Sequence, residues 1–124
     1  MNLDVLNAQD RMRIIQEIVP GKQVTLAHII ANPDQVLYQK LGLDPTVDYK
    51  RSAIGIITIS PSETAIIAAD ISMKTAGAEI GFVDRFSGTL IITGSISEVE
   101  AAAQAITAYL SEKLGFTTCE VSRT

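Results

Sequence analysis

The chain carries few side chains that could do chemistry. Among 124 residues there is one histidine, His28, and one cysteine, Cys119, far apart in sequence. No second histidine is available for a metal cluster, and no nucleophile and base stand at a motif spacing. His28 sits inside an apolar run, Gln23–Ala31 (QVTLAHIIA). A packed, hydrogen-bonded imidazole is expected there rather than a catalytic one. Cys119 reads as a small strand residue rather than a reactive thiol. A single cysteine also excludes an internal disulfide and fits a reducing compartment. Neither G-x-x-x-x-G-K-S/T nor G-x-G-x-x-G is present to cradle a phosphate. Glu63, Glu98 and Glu100 fall in the first turns of expected helices, where capping and the helix dipole account for them. Asp84 and Arg85, adjacent in a turn, are either an ion pair or two solvated charges. No catalytic, cofactor-binding or metal-ligating residue is therefore expected.

The stretch that presents something is Glu79–Gly94. Two apolar runs, Ile80–Val83 and Leu90–Thr93, flank the turn Asp84-Arg85-Phe86-Ser87-Gly88. That is a hairpin signal with a glycine closing the loop. A strand and a helix lie on either side of it. Ala53–Ile59 (AIGIITI) is a near-continuous apolar strand, as expected where both faces are covered. Ser60-Pro61-Ser62-Glu63 reads as a capping box opening a helix over Pro61–Ala76, which Gly77 stops. Little of that helix's circumference is polar, so one side is expected on the sheet and the other against a neighbouring subunit. Ser97-Glu98-Val99-Glu100 reads as a second box, opening a helix over Ser97–Leu114 that Gly115 closes. Phe116–Ser122 alternates loosely, as a terminal strand.

Ahead of this core, Gln23–Ala31 reads as a buried strand. Asn32 as N-cap and Pro33 in the first turn open a short helix with Val36, Leu37, Lys40 and Leu41 on its periodic positions, ending at Gly42. Asp44–Ser52 is the longest loop and the expected site of mobility. At the N-terminus, Met1–Gln9 has no period. In Arg11–Val19, Met12, Ile15, Ile18 and Val19 fit helical spacing, while the pairs Ile14-Ile15 and Ile18-Val19 favour a strand.

The length suits one domain. A charge of −4 speaks against nucleic acid. No apolar run approaches the roughly 20 residues of a membrane span, and the first residues lack a signal peptide's basic and apolar regions. No nucleic-acid or membrane partner is expected. The order strand, helix, strand, strand, helix, strand is a split βαβ arrangement, an α/β sandwich of the ferredoxin-like kind with helices on one sheet face.

Residues 53–102, AIGIITISPSETAIIAADISMKTAGAEIGFVDRFSGTLIITGSISEVEAA, resemble the bacterial microcompartment shell domain. RIIQEIVPGKQVTLAHIIANP, placed before that core, resembles its circularly permuted subfamily, with members in propanediol- and ethanolamine-utilisation compartments. Compartments for choline or another glycyl-radical substrate remain equally open. In unpermuted shell proteins a segment similar to His28-Ile29-Ile30-Ala31-Asn32-Pro33 closes the domain; here it stands at the front. The resemblance implies a non-enzymatic subunit of cyclic homo-hexamers, tiled with other shell proteins around encapsulated enzymes, in a bacterial microcompartment. It implies a domain over residues 23–124 and an extension over 1–22. It places Arg85, Phe86, Ser87 and Gly88 in a pore-facing loop and Lys74 at the edge between hexamers. Asn32 stands where the family carries an edge arginine, which puts flat tiling in doubt. Permuted members further imply that about residues 12–19, with Met12, Ile14, Ile15, Ile18 and Val19, supply one strand of a six-stranded barrel capping the pore. A small-molecule-sensing regulatory domain is the alternative that the fold class alone allows.

Overall fold

A computed structural model describes residues 21–49, 52–75 and 77–124. Its elements are β1 (Gln23–Ile30), α1 (Gln35–Lys40), β2 (Ala53–Ser60), α2 (Thr64–Lys74), β3 (Glu79–Asp84), β4 (Thr89–Gly94), α3 (Ile96–Leu114) and β5 (Ser122–Arg123). The strands form one sheet in the order β3-β4-β2-β1-β5, antiparallel except for the β1–β5 pair. The expected ferredoxin-like α/β sandwich is thus formed. The strand read ahead of the core lies inside the sheet, between β2 and β5.

Strand alternation decides what each face buries. Ala27, Ile29, Ala53, Ile57, Leu90 and Ile92 turn toward α2 and α3 and meet Ala68, Val99, Ala102, Ala103, Ile106 and Leu110 in the main core. Full burial of each large aliphatic side chain contributes about 1.5–3 kcal/mol. Gly55 lets α3 approach: a Cβ there would stand 2.7 Å from side-chain atoms of Ile92 and Val99. On the opposite face Ile54 and Ile91 pack with Tyr38, Leu43, Leu37 and Tyr49. The expectation that helices occupy one face holds for α2 and α3 but not for α1, which lies over the other face.

Several local readings are corrected. α1 starts later than expected, because Asp34 rather than Asn32 is its N-cap and accepts the Val36 N–H at 2.9 Å. Its buried side chain is Tyr38, with Val36 exposed. Gly42 closes α1 as expected, with its N–H on Gln39 O and that of Leu43 on Tyr38 O. Tyr38 stacks on Tyr49 with ring centroids 4.8 Å apart, and its hydroxyl donates to Ser52 O at 2.6 Å. The described part of the long loop is therefore tied to the sheet.

The Ser60–Glu63 box does not form. Ser60 is the last residue of β2, paired with Gln23, so its backbone is committed to the ladder. The turn 61–63 carries i to i+3 bonds such as Thr64 N–H to Pro61 O, and α2 begins at Thr64 without a side-chain cap. α2 ends at Lys74 rather than Ala76, because Thr75 is extended. The second box is real but two residues earlier. Ser95 Oγ accepts the Glu98 N–H, and Glu98 Oε1 accepts the Ser95 N–H at 2.8 Å. Gly115, left-handed at φ 72°, ends α3 as expected. Phe116–Ser122 is mostly not a strand: Thr117 bridges to Gln23, and the ladder resumes only at Ser122–Arg123.

The registers give the sheet two distinct ends. Gln23 pairs with Ser60, Thr58 with Thr89, and Thr89 with Asp84, which gathers the β3–β4 turn and the start of β1 at one end. Ile30 pairs with Ile54, Ala53 with Gly94, and Glu79 with Thr93 at the other. α2 runs from the turn end to the far end, about 16 Å at 1.5 Å per residue.

Candidate functional site

The turn Arg85–Gly88 is built by its flanking residues. Asp84 accepts the Phe86 N–H at 2.8 Å and the Ser87 N–H at 3.3 Å on one oxygen. Its other oxygen lies 2.8 Å from Ser87 Oγ. These bonds favour the carboxylate, so the Phe86 N–H first, then the Ser87 hydroxyl, hold Asp84 below the usual carboxylate range. Aspartate at a turn start commonly captures the following amides in this way. Gly88 donates to Asp84 O at 2.9 Å and accepts from the Ile59 N–H at 2.8 Å. It is left-handed at φ 80°, where only glycine sits without strain. The carboxylate is occupied by the turn, and Arg85 stacks instead, its guanidinium carbon 5.0 Å from the Phe86 ring centre. Phe86 is 80% exposed. A charged and an aromatic side chain thus stand on a rigid tip pointing out of the sheet's turn end.

Lys74 is the last residue of α2, at the far end, where the helix dipole favours a cation. Its ammonium lies 2.7 Å from Asp70. The Asp70 carboxylate raises the Lys74 pKa, by hydrogen bond first and then by charge. Both side chains remain largely exposed, so the pair adds little to stability. Asn32 is also exposed at this end, in the turn after β1. The turn residues and the far-end pair therefore occupy opposite ends of the subunit.

His28 is hydrogen-bonded as expected, but the sequence did not show to what. Nδ1 lies 2.6 Å from Ser122 Oγ and Nε2 2.9 Å from Thr124 Oγ1. These partners are 94 and 96 residues away, beyond any local motif. Cys119 is half-buried against the core, outside any strand. It lines a groove of about 520 Å³ with Thr107, Ser111 and Glu112. Among the described residues no group of histidine, cysteine, aspartate and glutamate could hold a metal ion. Met12, Ile14, Ile15, Ile18 and Val19 lie outside the described residues.

Two apolar surfaces were not localised by sequence patterns. α2 turns Ile66 (52% exposed), Ile67 and Met73 (68%) outward, on the side away from the core. The sheet face opposite α2 and α3 leaves Leu26 and Phe82 exposed toward the turn end. The only sequence signal for the first was the unusually apolar circumference of α2.

The family model for the BMC domain matches residues 53–121, more than half of the chain. The microcompartment shell protein PduU of Salmonella typhimurium is 56% identical over 112 residues, 90% of this chain and 93% of that protein. The chain belongs to the bacterial microcompartment shell-protein family. The shell protein EutS of Escherichia coli is 49% identical over 114 residues, covering 92% and 98% of the two chains. Among solved shell-protein structures, the CutR flat hexamer superposes with a TM-score of 0.77 at 44% identity, over 86% of this chain and 94% of that one. A fused permuted hexameric shell protein from the RMM microcompartment matches at 0.63 and 17% identity, over 71% and 46%. That likeness shows the permuted shell-domain fold alone. These named relatives are microcompartment shell proteins.

Proposed function

We propose that this chain is a non-enzymatic tile of a microcompartment shell, a ring of six copies with the Arg85–Gly88 turn at the axis and Lys74 at the rim. The observation that carries the reading is the polarity of the subunit. Arg85, Phe86, Ser87 and Gly88 lie at one end, while Lys74 and Asn32 lie at the other. A wedge in a ring needs that arrangement. The apolar outer face of α2 and the open sheet face lie on opposite sides of the subunit. Two different patches that meet head to tail generate a closed ring when the rotation between successive copies closes. Such a contact belongs to the obligate class, burying about 2,000 Å² or more in total.

The reading extends to residues 1–22 as an extension separate from the shell domain of 23–124. β1 begins at Gln23 beside Ser60, and the next residue of β2 toward the core, Ile59, bonds to Gly88. The chain therefore enters the described domain beside the turn. This supports Met12–Val19, with Ile14, Ile15 and Ile18, as a pore-capping strand, since six apolar segments brought to one axis gain burial by associating. The rim carries Lys74 without an arginine at position 32, and CutR, 44% identical, is seen both as a flat hexamer and as a screw. Flat sheets and rolled assemblies are both expected here. The partners are further copies and other shell proteins, with encapsulated enzymes on one side.

Native mass spectrometry and negative-stain microscopy test the ring. Six-membered assemblies support it, and a folded monomer that persists at micromolar concentration refutes it. Amide exchange on the assembled protein tests the cap. Exchange of the Ile14–Val19 amides as fast as that of Met1–Gln9 excludes a hydrogen-bonded barrel.

A further inference from the structure

We infer that the cavity between α1 and the loop after it binds a small organic cation, an ammonium group carrying short aliphatic substituents. The cavity lies over the sheet face opposite α2 and α3 and has a volume of about 610 Å³. That is the size of a small-molecule site and far beyond a bare ion. Its floor is apolar and preformed. Tyr38 and Leu43 are buried, the Leu43 N–H is bonded to Tyr38 O, and both side chains pack with Ile54 and Ile91. Tyr49 stacks on Tyr38 with 5° between the ring planes. The Tyr38 hydroxyl is spent on Ser52 O. Pro45 and Val47, both exposed, carry the apolar wall out to the rim.

Charge selects the ligand. Asp44 and Asp48 line the cavity, and among the described residues no lysine, arginine or histidine does. Asp44 is fixed by its own turn, accepting the Thr46 N–H at 2.9 Å and the Thr46 hydroxyl at 2.7 Å. Both bonds fall on Oδ1, so the turn does not use the other oxygen. The hydroxyl first, then the N–H, hold Asp44 below the usual carboxylate range, and it is charged at neutral pH. Burial first, then the Asp44 charge, push the Tyr49 hydroxyl up, so that ring stays neutral. An anion entering here meets like charge. A neutral molecule gains the apolar wall alone. An alkylammonium gains both, because its charge is drawn to Asp44 and to the electron-rich aromatic rings while its alkyl groups cover Leu43 and Val47. The amide oxygens of Gln35 and Gln39, also on the wall, can accept from an ammonium N–H. Every wall comes from one subunit, so the site needs neither the ring nor the cap.

Spin-labelled probes test this on full-length protein with isotope-labelled leucine and valine methyl groups. A nitroxide bearing trimethylammonium is titrated in parallel with a neutral hydroxyl nitroxide and an anionic carboxylate nitroxide. The cationic probe is expected to broaden the Leu43 and Val47 methyl signals first and saturably, and the other two are not. Asp44→Asn, which can keep the Thr46 bonds, is expected to raise the saturating concentration about tenfold. Tyr49→Leu should raise it as well. Glu120→Gln, the same loss of charge in the groove beside α3, should change it by less than about twofold, because a distant exposed charge is screened. Equal broadening by all three probes overturns the inference, as does no saturable broadening at Leu43 and Val47. An effect of Glu120→Gln equal to that of Asp44→Asn also overturns it, since the cation would then be gathered by net charge alone. If Asp44→Asn does not fold, the three probes on the unaltered protein decide. Native mass reports the number of subunits independently, so failure here leaves the ring standing.

Discussion

The two ends of the sheet solve the same problem differently. At each, a strand hands over to a helix, and the two sequences look alike: AIGIITISPSE at the turn end and GTLIITGSISEVE at the far end. Only the second forms a capping box, Ser95 with Glu98. At the turn end the corresponding serine, Ser60, stays in the ladder, and α2 begins uncapped at Thr64. That corner is held by tertiary contact instead, with Gly88 pressed against Ile59 and Ser62. The far end is thus stabilised locally and the turn end by a neighbour distant in sequence. Repeated sequence does not guarantee repeated structure when one copy's backbone is already paired.

The largest effect should come from the turn end. Gly88→Ala places a Cβ at positive φ and against a carbonyl, and is expected to cost about 2 kcal/mol or more. The measurement is the urea midpoint at fixed protein concentration, since assembly shifts apparent stability.

At the far end, Ser95→Ala removes a cap and is expected to cost about 1 kcal/mol. The corresponding change at the turn end, Ser60→Ala, should stay within about 0.5 kcal/mol, because α2 begins there with no side-chain cap bond. Equal losses at the two sites would erase the contrast.

Acid should loosen both ends. Asp84 is held low chiefly by the Phe86 N–H and Glu98 by the Ser95 N–H. A carboxylate with a depressed folded-state pKa contributes stability that is complete above its unfolded value and is lost as pH falls through the folded one. The loss should therefore begin near the ordinary carboxylate range, about pH 4, and continue below it. Asp84→Asn should flatten the part that reports the turn, leaving the Glu98 part in place; midpoints measured from neutral to acid pH would show it.

The smallest effect on folding is expected at Lys74. Lys74→Ala removes an exposed ion pair and should leave the urea midpoint and the ring intact while suppressing sheets or tubes under the microscope. Unchanged higher-order assembly would remove Lys74 from the edge.

Much of this was legible in the chain. The hairpin from Glu79 to Gly94, the apolar strand at Ala53 and the long helix ending at Gly115 follow from periodicity and left-handed glycine, which act over a few residues. The turn Arg85–Gly88 stood out for the same reason. The start of α2 was misplaced by three residues and the box of α3 by two, because a capping box is a local pattern, while strand pairing decides whether its first residue is free.

What the sequence determined alone is the set of elements, their order and the poverty of reactive groups, because composition and short-range spacing suffice for those. Resemblance to shell proteins, not spacing, pointed to Arg85–Gly88 and Lys74 as candidates for a pore and an edge. Only the tertiary structure decided that Gln23–Ile30 lies inside the sheet, that Tyr38 carries α1 onto the face opposite the long helices, and that His28 is held by Ser122 and Thr124. It alone set the turn and Lys74 at opposite ends of the subunit. Those relations join residues tens of positions apart, and they are selected by which packing buries the most apolar surface while leaving no backbone group unpaired.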